Sequence, residues 1–228
     1  MSYFGNQGGG LRLNMPPVVK NLIIINIIVY LATALSGDLL FKYLSLFYVG
    51  SPFFQPYQIL THMFMHGGFW HIFFNMYTLY IFGCVLENTW GSKKFLIYYL
   101  VCGIGAAILH ELVMYIQVEN IQEGLVAGQY AAKMAYQKIM LTPTVGASGA
   151  IYGLLLAYGM LFPENRLMLI FPPIALKAKW FVLIFGVIEL LTGVFSTGDG
   201  IAHFAHLGGM IFGFILLMIW KKQNRMYY

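Results

Sequence analysis

The sequence predicts an all-α membrane protein: a bundle of six transmembrane helices with a short fourth member and an interfacial loop after the first. Two observations predict it. Of 228 residues, 60% are hydrophobic and only 9% charged, more apolar surface than one soluble domain of this length can bury. The apolar residues also fall into six stretches between polar breaks, and a bilayer core about 30 Å thick needs about 20 apolar residues per helix.

Residues 1–16 are Gly-rich and polar, with Gly8, Gly9 and Gly10 in a row, and read as a flexible cytoplasmic tail. Residues 17–228 form the membrane domain. Span one covers 18–36; only two basic residues, Arg12 and Lys20, precede its apolar run and no small-residue cleavage pattern follows, so it is retained rather than removed as a signal. Leu39 to Gln58 is rich in aromatic residues (Phe41, Tyr43, Phe47, Tyr48, Phe53, Phe54 and Tyr57) but broken by Pro52 and Pro56. It is expected to lie at the headgroup boundary without crossing. Spans two and three cover 60–86 and 94–118, and residues 119–143 hold a short amphipathic helix. Spans four, five and six cover 148–162, 174–195 and 201–220. The loop Ser196 to Gly200, with Gly198 and Gly200 as hinges, is expected to close a water-filled cavity opening to the outside.

No internal repeat is visible. Cys84 and Cys102 lie in or beside separate spans and make no disulfide framework. The net charge of +5 is scattered one to three residues per loop, which excludes a nucleic-acid face and suits a membrane surface. Counting Lys and Arg, one face carries Arg12, Lys20, Lys93, Lys94, Arg166, Lys177, Lys179, Lys221, Lys222 and Arg225, the other Lys42, Lys133 and Lys138. Positive charge is retained inside, so both termini are expected in the cytoplasm.

Polar residues inside spans are costly and mark function. Span two carries His62, His66, His71 and Asn75, span four opens with Gly146-Ala147-Ser148-Gly149, and span six carries His203 and His206. Ser148 stands 15 residues before Pro163 and His206 15 before Lys221, which puts both about 22 Å above the cytoplasmic helix ends. His71 and Asn75, 16 and 12 residues before Glu87, stand at about 24 and 18 Å. All four share one level, and span four is too short to cross.

A helix that begins inside the bilayer leaves N–H groups without intrahelical partners, beside the positive end of its dipole. These suit an oxyanion next to Ser148. A serine is a weak nucleophile that needs a base, and His206 can serve near neutral pH. Small residues permit the close approach of the two helices: Gly149, Gly153 and Ala157 on one, Ala202, Gly209 and Gly213 on the other. His71 and Asn75, four apart on one face, can both donate to the oxyanion.

The runs Gly146-Ala147-Ser148-Gly149 and Ala205-His206-Leu207-Gly208-Gly209 ending at Gly213, with His71 and Asn75, resemble the signatures of rhomboid intramembrane serine proteases. Glu87, Gly91-Ser92-Lys93 and Tyr152 match family positions too. The resemblance implies a rhomboid-like bundle and a serine-type endopeptidase without cofactor or metal. In it Ser148 is the nucleophile and His206 the base, with no third, acidic member. The Ser148 N–H, His71 and Asn75 form the oxyanion hole, Tyr152 packs on the histidine, and Gly146, Gly149 and Gly209 support the site. Its partners are the lipid bilayer and transmembrane protein substrates with unstable, small-residue segments near the outer surface, and its place a bacterial inner membrane. Oligomeric state stays open. The sequence departs from the family at Tyr57-Gln58, where many members carry Trp-Arg.

Other readings stand beside this one. A lone Gly-x-Ser-Gly is usually close helix packing, and a lone membrane histidine is more often a hydrogen-bonded core residue, the reading open to His62, His66, His110 and His203. Glu189, deep in span five, reads as a bond to a neighbouring helix. His62 with His66, and His203 with His206, have spacings that suit a metal. The metalloprotease motif, however, fails at Met114 after His110-Glu111. Asp38 and Asp199 lie in loops, which excludes an aspartyl protease. A transporter would show broken helices in related halves; a relative that only binds client helices would not need the full polar set.

Overall fold

The structure, a computed structural model, describes residues 15–168, 174–195 and 202–223. The expected loop Ser196 to Gly200, most of the 1–16 tail, and the Arg12 and Arg225 used in the charge count lie outside the described residues.

Helix α1 (Pro17–Ser36) begins on a proline, whose missing N–H costs nothing in a first turn. The next two N–H groups donate to Glu87, Val18 at 3.0 Å and Val19 at 2.8 Å. The buried carboxylate thus caps α1 from across the bundle, and the Ser92 hydroxyl donates to it as well, at 2.7 Å. A short α2 (Asp38–Leu44) follows, then a loop paired to the chain ahead of Ser148 through a bridge between Leu46 and Thr144.

The second span departs from expectation. Instead of one helix from residue 60, a single turn α3 (Gln58–Thr61) passes into a 3-10 turn (His62–Phe64), and the chain is extended at Met65 and at Gly68. The adjacent glycines Gly67 and Gly68 weaken helix here. Helix resumes as α4 (Phe69–Thr78) and runs through a π turn (Leu79–Gly83) into α5 (Cys84–Trp90). Together these make a continuous 22-residue apolar helix. His62 and His66 therefore do not share a helical face with His71 and Asn75.

Helix α6 (Ser92–Val126) is 35 residues long, longer than expected, and α7 (Tyr130–Leu141) folds back beside it, where the sequence suggests a short amphipathic helix. Helix α8 (Ser148–Leu161) has 14 residues. A small antiparallel hairpin, β1 (Arg166–Met168) and β2 (Ala175–Lys177), adds sheet that the all-α reading did not foresee, and takes the first residues of the expected span five. Glu164 pairs there with Lys177 at 2.7 Å and Lys179 at 2.5 Å. Helices α9 (Ala178–Phe195) and α10 (His203–Lys222) complete the bundle.

Among the described residues five helices are long and apolar enough to cross a membrane, and α8 is a shorter apolar one. Helices α1 and α9 turn Ile27, Ile28, Leu31, Leu183, Leu190 and Val194 outward, the faces that a bilayer covers. The core lies where α6, α8 and α10 meet. A Cβ on Gly153 would strike Cys102, one on Gly208 would come within 2.8 Å of the Gly105 carbonyl, and one on Gly209 would overlap the Gly149 carbonyl. At the end of the bundle away from Ser148, the Lys94 ammonium sits over Trp220 and Trp90, 4.6 and 5.8 Å from the ring centres.

Candidate active site

Ser148 is the first residue of α8, where N–H groups point off the helix end without intrahelical partners. The approach to it is fixed from two sides. Thr144 N–H donates to the Leu46 carbonyl at 2.7 Å and Gly146 N–H to the His62 carbonyl at 2.9 Å. Gly146 has φ of 128°, a conformation that residues with a Cβ rarely adopt. A Cβ there would lie 2.8 Å from His71 Nε2 and 3.4 Å from Ser148 Oγ. His71 and Ser148 therefore flank the same small gap, which only glycine leaves open.

His206 lies in the first turn of α10, and the Ser148 hydroxyl is 2.8 Å from its Nε2. The imidazole stacks on Tyr152, with centroids 4.3 Å apart and planes 8° from parallel. The glycine contacts of α8 and α10 allow this distance, since Gly149 follows Ser148 and Gly209 stands one turn after His206.

On α4, Asn75 is buried and donates one amide N–H to the His71 carbonyl at 2.7 Å, which leaves its second N–H for another acceptor. His71 Nδ1 accepts from Gly67 N–H at 3.4 Å, and the His66 ring meets His71 edge-on at 5.0 Å. The remaining histidines are tied into the scaffold. His62 Nδ1 lies 3.0 Å from the Gln58 carbonyl and His110 Nε2 2.7 Å from the Thr144 hydroxyl.

Two residues carry more than the sequence revealed. Glu189, only 6% exposed, accepts a hydrogen bond from the Tyr152 hydroxyl, and its Oε2 lies 2.6 Å from His203 Nδ1. The same oxygen stands 3.0 Å from His206 Nδ1, close in distance though poorly aligned for a hydrogen bond. Gln58, fully buried, accepts from Phe47 N–H at 3.3 Å and Gln55 N–H at 3.1 Å, and donates to the Tyr43 and Phe53 carbonyls at 3.0 and 3.1 Å. A carboxylate within a span is a signal that sequence can offer; the loop glutamine gives none.

The pair His62 and His66 forms no donor cluster with a third group among the described residues, whereas Glu189, His203 and His206 offer three ligand atoms within 4.8 Å of one another. Ligands around a tetrahedral zinc stand about 3.3 Å apart. The 2.6 Å between Glu189 and His203 is instead a hydrogen-bond distance, so the cluster is a bonded network as it stands.

A family model described as Rhomboid domain matches residues 54–223. The chain is similar to the "Presenilin-associated rhomboid-like protein, mitochondrial" of Homo sapiens, 31% identical over 180 residues, covering 73% of this chain and 40% of the relative. It is similar to "RHOMBOID-like protein 6, mitochondrial" of Arabidopsis thaliana, 29% identical over 169 residues, 74% of this chain and 45% of the relative. "Rhomboid protein 1, mitochondrial" of Saccharomyces cerevisiae is 27% identical over 156 residues, 68% of this chain and 39% of the relative. The chain thus matches less than half the length of each of these relatives.

Proposed function

Because the chain belongs to the rhomboid family, we propose that it is a serine-type endopeptidase that cuts transmembrane segments of other membrane proteins. The observation that carries this reading is the Ser148 hydroxyl 2.8 Å from His206 Nε2, at the start of a helix too short to cross.

In this reading Ser148 Oγ attacks the scissile carbonyl carbon while its proton passes to His206 Nε2. The carbonyl oxygen takes the negative charge and receives hydrogen bonds from the Ser148 N–H, His71 and Asn75. His206 returns the proton to the leaving amine, which departs as the C–N bond breaks. Water then gives a proton to His206 and attacks the acyl-serine; the C–Oγ bond breaks, His206 returns the proton to Ser148 Oγ, and the carboxylate leaves. No cofactor or metal takes part. Tyr152 fixes the imidazole plane, and Gly146, Gly149 and Gly209 hold the spacing.

Substrates are single membrane helices with locally unstable, small-residue segments, drawn from the surrounding lipid. The distribution of Lys and Arg supports both termini lying in the cytoplasm, with the Ser148 end and its water-filled cavity opening outward. The relatives named above are mitochondrial and lend a bacterial inner membrane no support.

The test is cleavage of a model transmembrane substrate by the purified chain in detergent, beside Ser148→Ala, with labelling by a serine-directed fluorophosphonate. Cleavage and labelling lost together in the variant are expected. Unchanged cleavage would return the metal reading, and absence of both in the parent chain would leave a client-binding relative.

A further inference from the structure

A neutral imidazole carries one proton and so has one donor and one acceptor nitrogen. To take the serine proton, His206 must present a bare Nε2 to Ser148 and keep its own proton on Nδ1. What faces Nδ1 therefore decides whether the ring is ready. That group is Glu189: its Oε2 stands 3.0 Å from Nδ1. The carboxylate comes from α9, the ring from α10 and the hydroxyl from α8, so three helices bring carboxylate, ring and hydroxyl together, with the carboxylate near Nδ1 but off the hydrogen-bond direction.

A carboxylate within a membrane helix is costly unless it is bonded. Oε1 accepts from Tyr152, the same residue that stacks on His206. Oε2 lies 2.6 Å from His203 Nδ1, one turn before His206. The two contacts that hold Glu189 thus come from the residues that bracket the ring. On α9 the other buried residues, Ala178 and Val182, lie in its first turns. Nearer the site, the carboxylate is the buried group by which α9 meets its neighbours.

Resting on the serine-protease reading, we propose that Glu189 is a positioning residue for the reaction: held by Tyr152 and His203, it fixes the ring of His206 with the proton on Nδ1 and Nε2 turned to Ser148. When the serine proton moves to Nε2, both ring nitrogens carry hydrogen and the carboxylate faces the resulting cation. Glu189 takes no proton itself, and no bond to it forms or breaks.

The experiment compares the full chain with Glu189→Gln and Glu189→Asp in detergent. It measures kcat and KM on a model transmembrane substrate, the rate of fluorophosphonate labelling at Ser148, and thermal unfolding. Glu189→Gln keeps the shape and the bond from Tyr152 but not the charge. Its kcat is expected to fall about a hundredfold, the lower range of what a placed proton-transfer group contributes, with KM within about twofold. The labelling rate should fall in step, and Glu189→Asp should recover part of both. Equal kcat in the parent chain and Glu189→Gln overturns the proposal. So does a loss of kcat in Glu189→Gln matched by an equal loss of folded protein, with Glu189→Asp no better, because that marks a purely structural tie. A parent chain that neither cleaves nor labels overturns the protease reading beneath it, an outcome distinct from both.

Discussion

Gly209 of α10 lies so close to Gly149 of α8 that a methyl group on it would overlap the Gly149 carbonyl. Ser148 and His206 are carried on these same turns, so this backbone contact sets the 2.8 Å between them. Gly209→Ala is therefore expected to force α8 and α10 apart, at about 1–3 kcal/mol for an overpacked core, and to slow fluorophosphonate labelling of Ser148. Unfolding and labelling both unchanged would show that the helices have room which the geometry denies.

Glu87 is 2% exposed and takes the first free N–H groups of α1 along with the Ser92 hydroxyl. Glu87→Gln removes the charge and one acceptor. A loss of about 1.5–3 kcal/mol is expected, the range for hydrogen bonds to a charged group. It should be read as a lower midpoint of thermal unfolding in detergent, with cleavage retained below the transition. A midpoint equal to the parent's would mean that α1 needs no cap from α5.

Gln58 closes the loop after α2 through four hydrogen bonds. In Gln58→Leu the side chain keeps its bulk and loses those bonds. The Phe47 and Gln55 amides should then exchange hydrogen faster, and stability should fall by about 1–3 kcal/mol for buried groups left without partners. Unaltered exchange at both amides would assign the loop's order to its aromatic packing alone.

Glu164 lies outside the spans, and hydrogen bonds from Lys177 and then Lys179 bring its carboxyl down from 4.5 to about 2. A depressed folded value means that the ion pairs contribute fully above the ordinary 4.5 and are lost as pH falls toward about 2. The hairpin is thus expected to be insensitive to pH near neutrality. A carbon-13 titration of this carboxyl with its midpoint at the ordinary value would contradict the pairing.

Much of this was legible in the sequence because hydropathy and helix rise are local quantities. Counting residues from Pro163 and Lys221 puts Ser148 and His206 on one level, and the two groups meet across α8 and α10. The small residues at Gly149 and Gly209 likewise mark the helix contact. The break at Gly67-Gly68 escaped because the apolar residues on either side mask it. The hairpin escaped because strands of three residues are too short to show a period. Glu189 is visible as a charge in a span, but its partners depend on how α9 is rotated against two other helices. Gln58 is a hub only after the loop has closed around it.

Helix α6 has 35 residues and so measures about 52 Å, against a hydrocarbon layer of about 30 Å. Some of it must stand clear of the membrane as a stiff mast, with α7 folded against it and the tip at Ala127 to Gln129. Grafting a soluble fusion into that tip would add a rigid fiducial for electron cryomicroscopy to a particle that would otherwise vanish inside its micelle.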